Sequence, residues 1–351
     1  MRILVTGGAG FIGSRVVAGF IARGHDVRVL DALIPGVHPA DESFTPPAEV
    51  EFVHGDLRDE PTTEAALRGV DLVCHQAAMV GRGEEILEAK RYVACNDLGT
   101  AILLAAMTRL GVSRIIHASS VVIYGDSHYA CEVHGRVRPP RRSREDLDAG
   151  RFEPRCPACG RETTAEAVRE DDRLDPPLNV YAVSKLAQEY LVRAWARETG
   201  GIAVALRYHN VYGPGMPYAS PYSGVASAFR TSVARGEPPR VFEDGGPRRD
   251  FIHVDDVALA NLAALSFTGP GFRAYNVASG VPRTIRDLAA ALATAAGAPA
   301  PMITGEYRIG DVRHIFAAPD RIMAELGWAP RVQFEAGIAS FASGAMRGEP
   351  V

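Results

Sequence analysis

The sequence predicts an α/β fold in which a doubly wound parallel sheet is followed by a smaller C-terminal α/β region. Three observations lead to this prediction. Short β-branched runs alternate with helical patterns in the first half of the chain, as in parallel sheets with crossover helices. A glycine-rich turn joins the first strand to the first helix. From about residue 211 the chain becomes rich in loops and proline.

The predicted elements follow one another at the spacing of βαβ units. We predict strands over residues 2–6, 26–30, 50–54, 72–76, 114–118 and 203–208. We predict helices over residues 11–23, 96–110, 181–197, 256–266 and 284–297, the last begun by a Thr284/Asp287 capping box. Residues 1–126 and 167–210 then form the sheet domain, residues 127–166 an insertion, and residues 211–351 mainly the second region, with some segments returning to the sheet.

Composition excludes several classes of protein. Of the 351 residues, 47% are hydrophobic and 23% charged, which is ordinary for a globular protein and argues against disorder. A net charge of −4 gives no basic surface for nucleic acid, and no apolar run reaches ~18 residues, so neither a nucleic-acid partner nor a membrane span is expected. The chain runs straight into a strand, so no signal peptide is expected, and an odd count of five cysteines favours the reducing cytoplasm.

The glycine-rich turn predicts a dinucleotide site and a Rossmann-type sheet. Gly7 permits the tight turn, Gly10 lets the backbone approach a pyrophosphate, and Gly13 allows close packing of helix on sheet. Asp31 ends the next strand, where a carboxylate binds ribose hydroxyls and repels a 2′-phosphate, so NAD is favoured over NADP. Arg28 is expected to point away from that ribose.

A tyrosine and a lysine four residues apart predict acid–base chemistry. Tyr181 and Lys185 share one face of a helix, and a neighbouring ammonium favours the phenolate that a tyrosine base requires. Ser119 and Ser120 follow the fifth predicted strand, where a hydroxyl can reach the same substrate oxygen. Taken alone, a Tyr-x-x-x-Lys pair is often only a surface pair.

Together these segments resemble the extended short-chain dehydrogenase/reductases that modify nucleotide sugars. The resemblance covers nearly the whole chain and rests on residues 6–13, 55–59, 75–78, 96–100, 119–120, 123–125, 181–185 and 206–210. It implies a catalytic triad of Ser120, Tyr181 and Lys185. Besides the glycines and Asp31, it implies NAD contacts at Phe11, Ile12, Asp56, Leu57, Gln76, Ala77, Ala78, Asn96, Tyr181, Lys185 and Tyr208.

The resemblance also implies a nucleotide-sugar substrate, linked to dTDP or UDP. Arginine forks at Arg249 and Arg308 would clamp the diphosphate, although each arginine taken singly is an ordinary surface charge. The other implied contacts to the substrate are Ser120, Val121, Val122, Tyr181, Asn210, Val225, Phe242 and Asp311. His209 departs from the family, which usually has phenylalanine there, and either fills the same volume or adds a polar contact.

The residues after Ser120 separate the reactions within this family. Family 4,6-dehydratases have a pattern like Thr-Asp-Glu, whereas Val121 and Val122 cannot move protons. We therefore expect a 4-epimerase that transiently oxidises the sugar at C4 and keeps its NAD. The alternatives are an epimerase for UDP-glucuronate or UDP-glucose, a 4-ketosugar reductase, and a catalytically silent NAD-sensing protein.

The insertion carries a candidate metal site. Cys131 and His134 form one pair at x₂ spacing, and Cys156 and Cys159 form a second pair, which together make a closed tetrahedral set for structural zinc. The alternative is a mobile loop with free thiols. Arg136, Arg138, Arg141 and Arg142 are expected to form a solvated face, with coverage of an anionic substrate as the alternative.

Two further expectations concern the cysteines outside the insertion and assembly. Cys74 and Cys95 are expected to be buried core residues. The family resemblance implies a homodimer through two helices, one of them over residues 181–197.

Overall fold

The computed structural model describes residues 1–34, 38, 46–81, 83, 86–220 and 224–349. The first part of the chain alternates strands and helices. In order these are β1 (Arg2–Thr6), α1 (Phe11–Ala22), β2 (Asp26–Asp31), β3 (Val50–His54), α2 (Glu60–Leu67), β4 (Leu72–His75), α3 (Ala89–Tyr92), α4 (Gly99–Leu110) and β5 (Arg114–Ser120). A π-helical turn, Val93–Leu98, joins α3 to α4, and short 3₁₀ turns occur at Ile86–Glu88 and Val121–Tyr124.

The second part begins with the insertion and ends in a separate α/β layer. Its elements are β6 (His128–Cys131), β7 (Gly135–Val137), α5 (Arg144–Asp148), β8 (Thr164–Glu166), α6 (Val180–Thr199), β9 (Ile202–Tyr208), β10 (Asn210–Tyr212), α7 (Val225–Ala234), β11 (Arg240–Val241), β12 (Arg248–His253), α8 (Val254–Ala264), β13 (Gly271–Val277), β14 (Pro282–Thr284), α9 (Ile285–Ala296), β15 (Met302–Ile303), β16 (His314–Ile315), α10 (Asp320–Leu326) and α11 (Phe334–Ser343).

Seven parallel strands form the main sheet, in the order β3-β2-β1-β4-β5-β9-β13. One face packs on α1 and α8 through residues such as Phe20 and Val257. The other face packs on α2, α4 and α6 through Leu67, Leu103 and Val192. The predicted doubly wound Rossmann-type fold is therefore confirmed. All seven strands point their carboxyl ends to one edge, where the site lies.

Two predicted boundaries move in ways that matter for the site. β5 continues to Ser120, which pairs in register with Tyr208 of β9, so the serine predicted to be catalytic is held within the sheet. The helix predicted from residue 96 already turns at residue 89, and Asn96 lies inside the π-helical turn. The predicted capping box of α9 is present, with Thr284 and Asp287 each accepting from the other's backbone N–H.

The C-terminal region has its own core beside the sheet edge. β10 and β16 pair parallel with β12, and β14 pairs antiparallel with it. Tyr212, Phe229, Phe251, Leu288 and Phe341 are buried together beneath these strands. This region closes one side of the cleft above the main sheet.

The insertion folds into a small antiparallel sheet of β7, β6 and β8. Val168, just after it, bridges to Ala317. Among the described residues, one helical stretch, Ile86–Leu110, is long and apolar enough to cross a membrane by length and composition alone. Its residues Leu103, Leu104 and Met107 are buried in the core against the sheet, so packing accounts for its apolar character.

Candidate active site

A cavity of about 1150 Å³ opens along the carboxyl edge of the main sheet, between the sheet and the C-terminal region. Most of the residues predicted for the cofactor and the substrate line it. They are Gly7, Gly10, Phe11, Ile12, Gly13, Asp31, Asp56, Leu57, Gln76, Ala77, Ala78, Ser120, Val121, Val122, Tyr181, Lys185, Tyr208, Asn210, Val225, Arg249 and Asp311. Asn96, Phe242 and Arg308 lie outside this lining.

The glycine-rich turn is too crowded for side chains. Gly7 has φ +69°, and a Cβ there would lie 2.7 Å from the Ala77 backbone. A Cβ on Gly13 would lie 2.1 Å from the Gly7 carbonyl oxygen. Gly10 caps α1 without any side-chain partner, so the helix begins with free N–H groups facing the cavity. This arrangement suits a pyrophosphate.

Asp31 is fixed at the end of β2 with its carboxylate beside the turn. It accepts from the Ala9 and Leu33 backbone N–H groups at 3.0 Å each, and His38 lies 3.5 Å away. Burial opposes ionisation, but these hydrogen bonds hold the pKa of Asp31 below its ordinary value. Arg28 points away, because its guanidinium donates to the Ala66 and Arg68 carbonyls.

A hydrogen-bond network holds the side chains at the base of the cavity, on the side predicted to bind the dinucleotide. The Gln76 amide donates to the Tyr208 hydroxyl at 3.1 Å and to Asn261 Oδ1 at 3.0 Å. Asp56 is paired with Arg58, which lowers the pKa of that carboxyl despite partial burial. Cys95 is half-buried and lines the cavity, so its prediction as a buried core residue is wrong, whereas Cys74 is fully buried.

Ser120 and Tyr181 line the same cavity, and their side chains lie close enough to interact. Tyr181 lies in the first turn of α6, whose N-cap Asn179 accepts from the Ala182 N–H at 2.8 Å. Burial raises the pKa of Tyr181 to about 12, and the nearby Ser120 side chain opposes this shift only in part. The expected lowering of the Tyr181 pKa by Lys185 is not among the causes of this shift, which burial dominates.

Lys185 is buried in the lining of the cavity rather than exposed at the protein surface. Its ammonium donates to the Ala118 carbonyl at 2.6 Å and to Gln188 Oε1 at 2.9 Å. Burial lowers the pKa of Lys185 to about 7, against the attraction of Glu189 and Asp97. The lysine thus places a titratable positive charge one helical turn from Tyr181.

Asn96 does not face the cavity, which differs from its predicted place among the cofactor contacts. Its Oδ1 accepts from the Met79 N–H at 2.6 Å, and its amide donates to the Met79 carbonyl and to the Ser184 hydroxyl at 2.9 Å each. Every polar atom of the side chain is used in joining the loop after β4 to α6. Asn96 therefore positions the wall of the cavity.

The predicted diphosphate clamp is divided. Arg249 lines the cavity, but its guanidinium donates to the Arg248, Val312 and Arg313 carbonyls. Burial lowers the pKa of Arg249 from its ordinary value. Arg308 stacks 4.6 Å above the Phe242 ring, away from the cavity lining. The two predicted arginines do not converge on one point.

His209 follows β9 and lines the cavity while only 4% exposed. Both ring nitrogens are buried and have no hydrogen-bond partner. Burial, together with the Arg207 charge, lowers the pKa of His209 to about 3, so the ring is neutral near pH 7. The imidazole can therefore offer one donor and one acceptor to a ligand.

The four metal-ligand candidates of the insertion come together as predicted. The ligand atoms of Cys131, His134, Cys156 and Cys159 all lie within 4.8 Å of one another. Cys131 Sγ lies 3.7 Å from Cys159 Sγ and 3.6 Å from His134 Nδ1, and Cys156 Sγ lies 3.5 Å from that nitrogen. The sulfur separation is far beyond a disulfide bond of about 2.05 Å.

Two arginines at the cavity, Arg347 and Arg141, were not among the site residues predicted from the sequence. Arg347, near the C-terminal end of the described chain, donates to the Ala9 and Gly10 carbonyls and to Ser14, so it holds the glycine-rich turn from above. Arg141 of the insertion lines the cavity, whereas the first expectation for it was a solvated face and the alternative was coverage of an anionic substrate. Nothing local in the sequence signals either contact, because both depend on how distant segments fold back.

Comparisons with known proteins agree with this geometry. Residues 3–278 match the model of the NAD dependent epimerase/dehydratase family. The chain is 34% identical to a dTDP-L-rhamnose 4-epimerase of Burkholderia thailandensis, over 96% of this chain and 93% of the relative.

Solved structures give the same fold. A Thermus thermophilus UDP-glucose 4-epimerase in complex with NAD superposes with a TM-score of 0.76 at 33% identity, covering 97% of this chain and 98% of the other. A Streptomyces venezuelae dTDP-glucose 4,6-dehydratase with NAD superposes with a TM-score of 0.76 at 27% identity, covering 97% and 96%. The same architecture thus serves both epimerases and dehydratases.

Proposed function

Because the chain belongs to the NAD dependent epimerase/dehydratase family, we propose that it is a nucleotide-sugar 4-epimerase, acting on a dTDP- or UDP-hexose. The observation that carries this proposal is that one cavity brings together the glycine-rich turn, the Ser120–Tyr181 pair and Lys185. Val121 and Val122 follow Ser120 in the same lining, so the residues that would expel water in a dehydratase are replaced by apolar ones.

Tyr181 acts as the base for the 4-hydroxyl of the sugar, and Ser120 hydrogen-bonds the same oxygen. With a pKa of about 12 the phenol needs added positive charge to give up its proton near neutral pH. Within the protein, the Lys185 ammonium supplies this positive charge. Bound NAD supplies the hydride acceptor and donor at C4. After the 4-keto sugar rotates in the cavity to present its other face, Tyr181 returns the proton to the same oxygen at C4.

The test is product analysis with a panel of UDP- and dTDP-hexoses. We expect C4 epimers by NMR, with no net change in the absorbance of reduced nicotinamide. Tyr181→Phe is expected to lower kcat at least about a hundredfold, whereas Tyr190→Phe, on the exposed side of the same helix, should retain activity. Reduction of a 4-keto sugar with stoichiometric consumption of reduced cofactor, and no epimer from any substrate, would contradict the proposal.

The insertion is proposed to hold a structural zinc ion. A tetrahedral zinc with Zn–S of about 2.3 Å and Zn–N of about 2.0 Å separates two sulfurs by about 3.8 Å and a sulfur from a nitrogen by about 3.5 Å. The separations at Cys131, His134, Cys156 and Cys159 match these edges. Metal analysis should give one zinc per chain, lost in Cys156→Ser/Cys159→Ser but kept in Cys95→Ser. Equal metal content in all three proteins would contradict a zinc site there.

Assembly and location complete the proposal. A homodimer through α6 and the Ile86–Leu110 stretch is supported by Leu98 and Tyr190, each 51% exposed, on helices that pack together. Leu98→Glu should convert the dimer to a monomer in light-scattering measurements, and a monomeric wild type would contradict the dimer. A cytoplasmic location is supported by the thiol cluster, since zinc-binding cysteines must stay reduced.

A further inference from the structure

Arg141 lies in a segment of the insertion that runs between the two halves of the Cys/His cluster. We call residues 135–155 the arm, because it begins after His134 and ends before Cys156. Within the arm, Arg141 alone lines the large cavity, on the side where Ile309, Gly310 and Asp311 also line it. The cluster therefore closes a loop whose middle reaches the proposed substrate site.

The arm is fixed on both sides of Arg141. Arg138 Nε donates to Asp175 at 3.1 Å. Arg142 donates to the carboxylate of Glu243 and to the Asp311 carbonyl, each at 2.8 Å. Since Arg142 is bound to the Asp311 backbone, the neighbouring Arg141 is held at the substrate end of the cavity rather than at the glycine-rich turn.

Near the end of the arm, Glu153 makes a second set of anchors. It accepts from Arg313 Nε at 3.0 Å and lies 2.8 Å from His314 Nε2. Both partners precede or begin β16, which pairs with β12 beside Arg249. The arm is thus bound to the C-terminal region at two separate points.

Within the part of the chain that the structure describes, Arg141 differs from the other cationic side chains that line the cavity in its lack of a partner. Among the arginines and the lysine of the described chain that line it, Arg141 alone has no hydrogen-bond or ion-pair partner. The others are engaged by carboxylates, carbonyls or amides, namely Arg58, Arg91, Lys185, Arg249 and Arg347. A nucleotide sugar brings two phosphate charges, which an unpaired guanidinium binds best.

We propose that Arg141 binds the diphosphate of the nucleotide sugar, and that the metal-binding cluster positions it by closing the arm. This inference rests on the proposed function. Arg141 supplies the free guanidinium for the diphosphate that Arg249 and Arg308, which do not converge on one point, do not supply. Because the arm is an insertion, this contact adds a substrate-binding residue that the glycine-rich turn and the Tyr181 helix do not provide.

Binding of dTDP and UDP to the NAD-loaded enzyme tests the contact without turnover. We expect Arg141→Ala to weaken binding of both about tenfold and to raise KM similarly with kcat within about twofold. Arg141→Lys should recover part of the loss. Arg136→Ala, on the same arm but paired with Glu166 and Asp172, should bind as the wild type. Unchanged affinity in Arg141→Ala would overturn the proposal.

The link to the metal is tested by combining variants. Cys156→Ser/Cys159→Ser should lose metal and weaken dTDP binding to the extent that Arg141→Ala does, and adding Arg141→Ala should have no further effect. Additive losses would overturn the positioning role of the cluster. A wild type that binds dTDP through Arg141 but makes no epimer would contradict the proposed function alone, whereas an active wild type with Arg141-independent binding would contradict this inference alone.

Discussion

The Lys185 ammonium donates to the Ala118 carbonyl oxygen at 2.6 Å, two residues before Ser120 on the same strand. This bond joins α6 to β5 next to the side chains proposed to be catalytic, Ser120 and Tyr181. Ser120 also pairs in register with Tyr208 of β9. The main sheet therefore supports Ser120 and Tyr208 directly, and it supports Tyr181 through the contact of α6 with β5. The geometry of the reaction is therefore set by the sheet rather than by loops.

Replacing Lys185 removes the charge that favours the Tyr181 phenolate. We expect Lys185→Met to lower kcat about 10²- to 10³-fold, measured as epimer formed per unit time. The chain has only one other lysine, Lys90, which is exposed, so Lys90→Met is a matched control and should keep full activity. Equal activity in the two variants would show that Lys185 has no part in catalysis.

Asp31 predicts the choice of dinucleotide. Asp31→Ser removes the carboxylate that repels a 2′-phosphate, so NAD binding should weaken about tenfold and NADP binding should improve. Fluorescence titrations with both cofactors measure this. Asp26→Ser, at the exposed start of the same strand, should change neither affinity. An Asp31→Ser protein that still rejects NADP as the wild type does would argue against the ribose role.

We expect His209 to lower the stability of the ligand-free protein and to strengthen binding of the nucleotide sugar. His209→Phe removes two buried nitrogens that have no hydrogen-bond partner. The free energy of unfolding of the ligand-free protein should therefore rise by about 1 kcal/mol, and its melting temperature should rise accordingly. If a ligand normally satisfies these nitrogens, KM for the nucleotide sugar should rise in the same variant. A variant with raised stability and unaltered KM would assign His209 a space-filling role only.

Glu153 gives the arm a pH dependence. Burial raises the pKa of Glu153, but bonds from His314 and Arg313 outweigh it and lower the pKa to about 2. Because its pKa is lower in the folded protein than in the unfolded chain, ionised Glu153 stabilises the folded state. This contribution is complete above the unfolded pKa of about 4.3 and is lost as the pH falls from there towards 2.

Glu153→Gln should accordingly be less stable than the wild type at pH 7, by about 1 kcal/mol, and the difference should shrink below pH 5. Urea unfolding of both proteins across this range measures it. Asp148→Asn, on an exposed part of the arm, serves as the comparison. A difference that stays constant from pH 7 to pH 3 would show that ionised Glu153 is not the stabilising species.

The sequence allowed the fold and the family to be predicted because their signals are local. The turn at Gly7 to Gly13 and the Tyr181–Lys185 spacing each lie within one element, and both the Rossmann-type fold and the epimerase family are confirmed. The pairing of Cys131 and His134 with Cys156 and Cys159 was also readable, since closed metal sets have fixed spacings.

What could not be predicted depends on tertiary contacts. Asn96 carries a family motif, yet its side chain joins Met79 to Ser184 instead of facing the cavity. Arg308 is drawn onto the Phe242 ring, and Arg249 onto backbone carbonyls. Arg141 enters the cavity only because bonds elsewhere fold the arm back over it. Such choices are made by packing between segments far apart in the chain.

The central claim, transient oxidation at C4, is tested most directly with a dTDP- or UDP-hexose deuterated at C4. If NAD takes the hydride and Tyr181 only the hydroxyl proton, the epimer formed in ordinary water must retain deuterium at C4, which NMR and mass spectrometry measure. Tyr181→Phe should form the labelled epimer at least about a hundredfold more slowly. Loss of the deuterium to solvent during epimerisation would contradict the account.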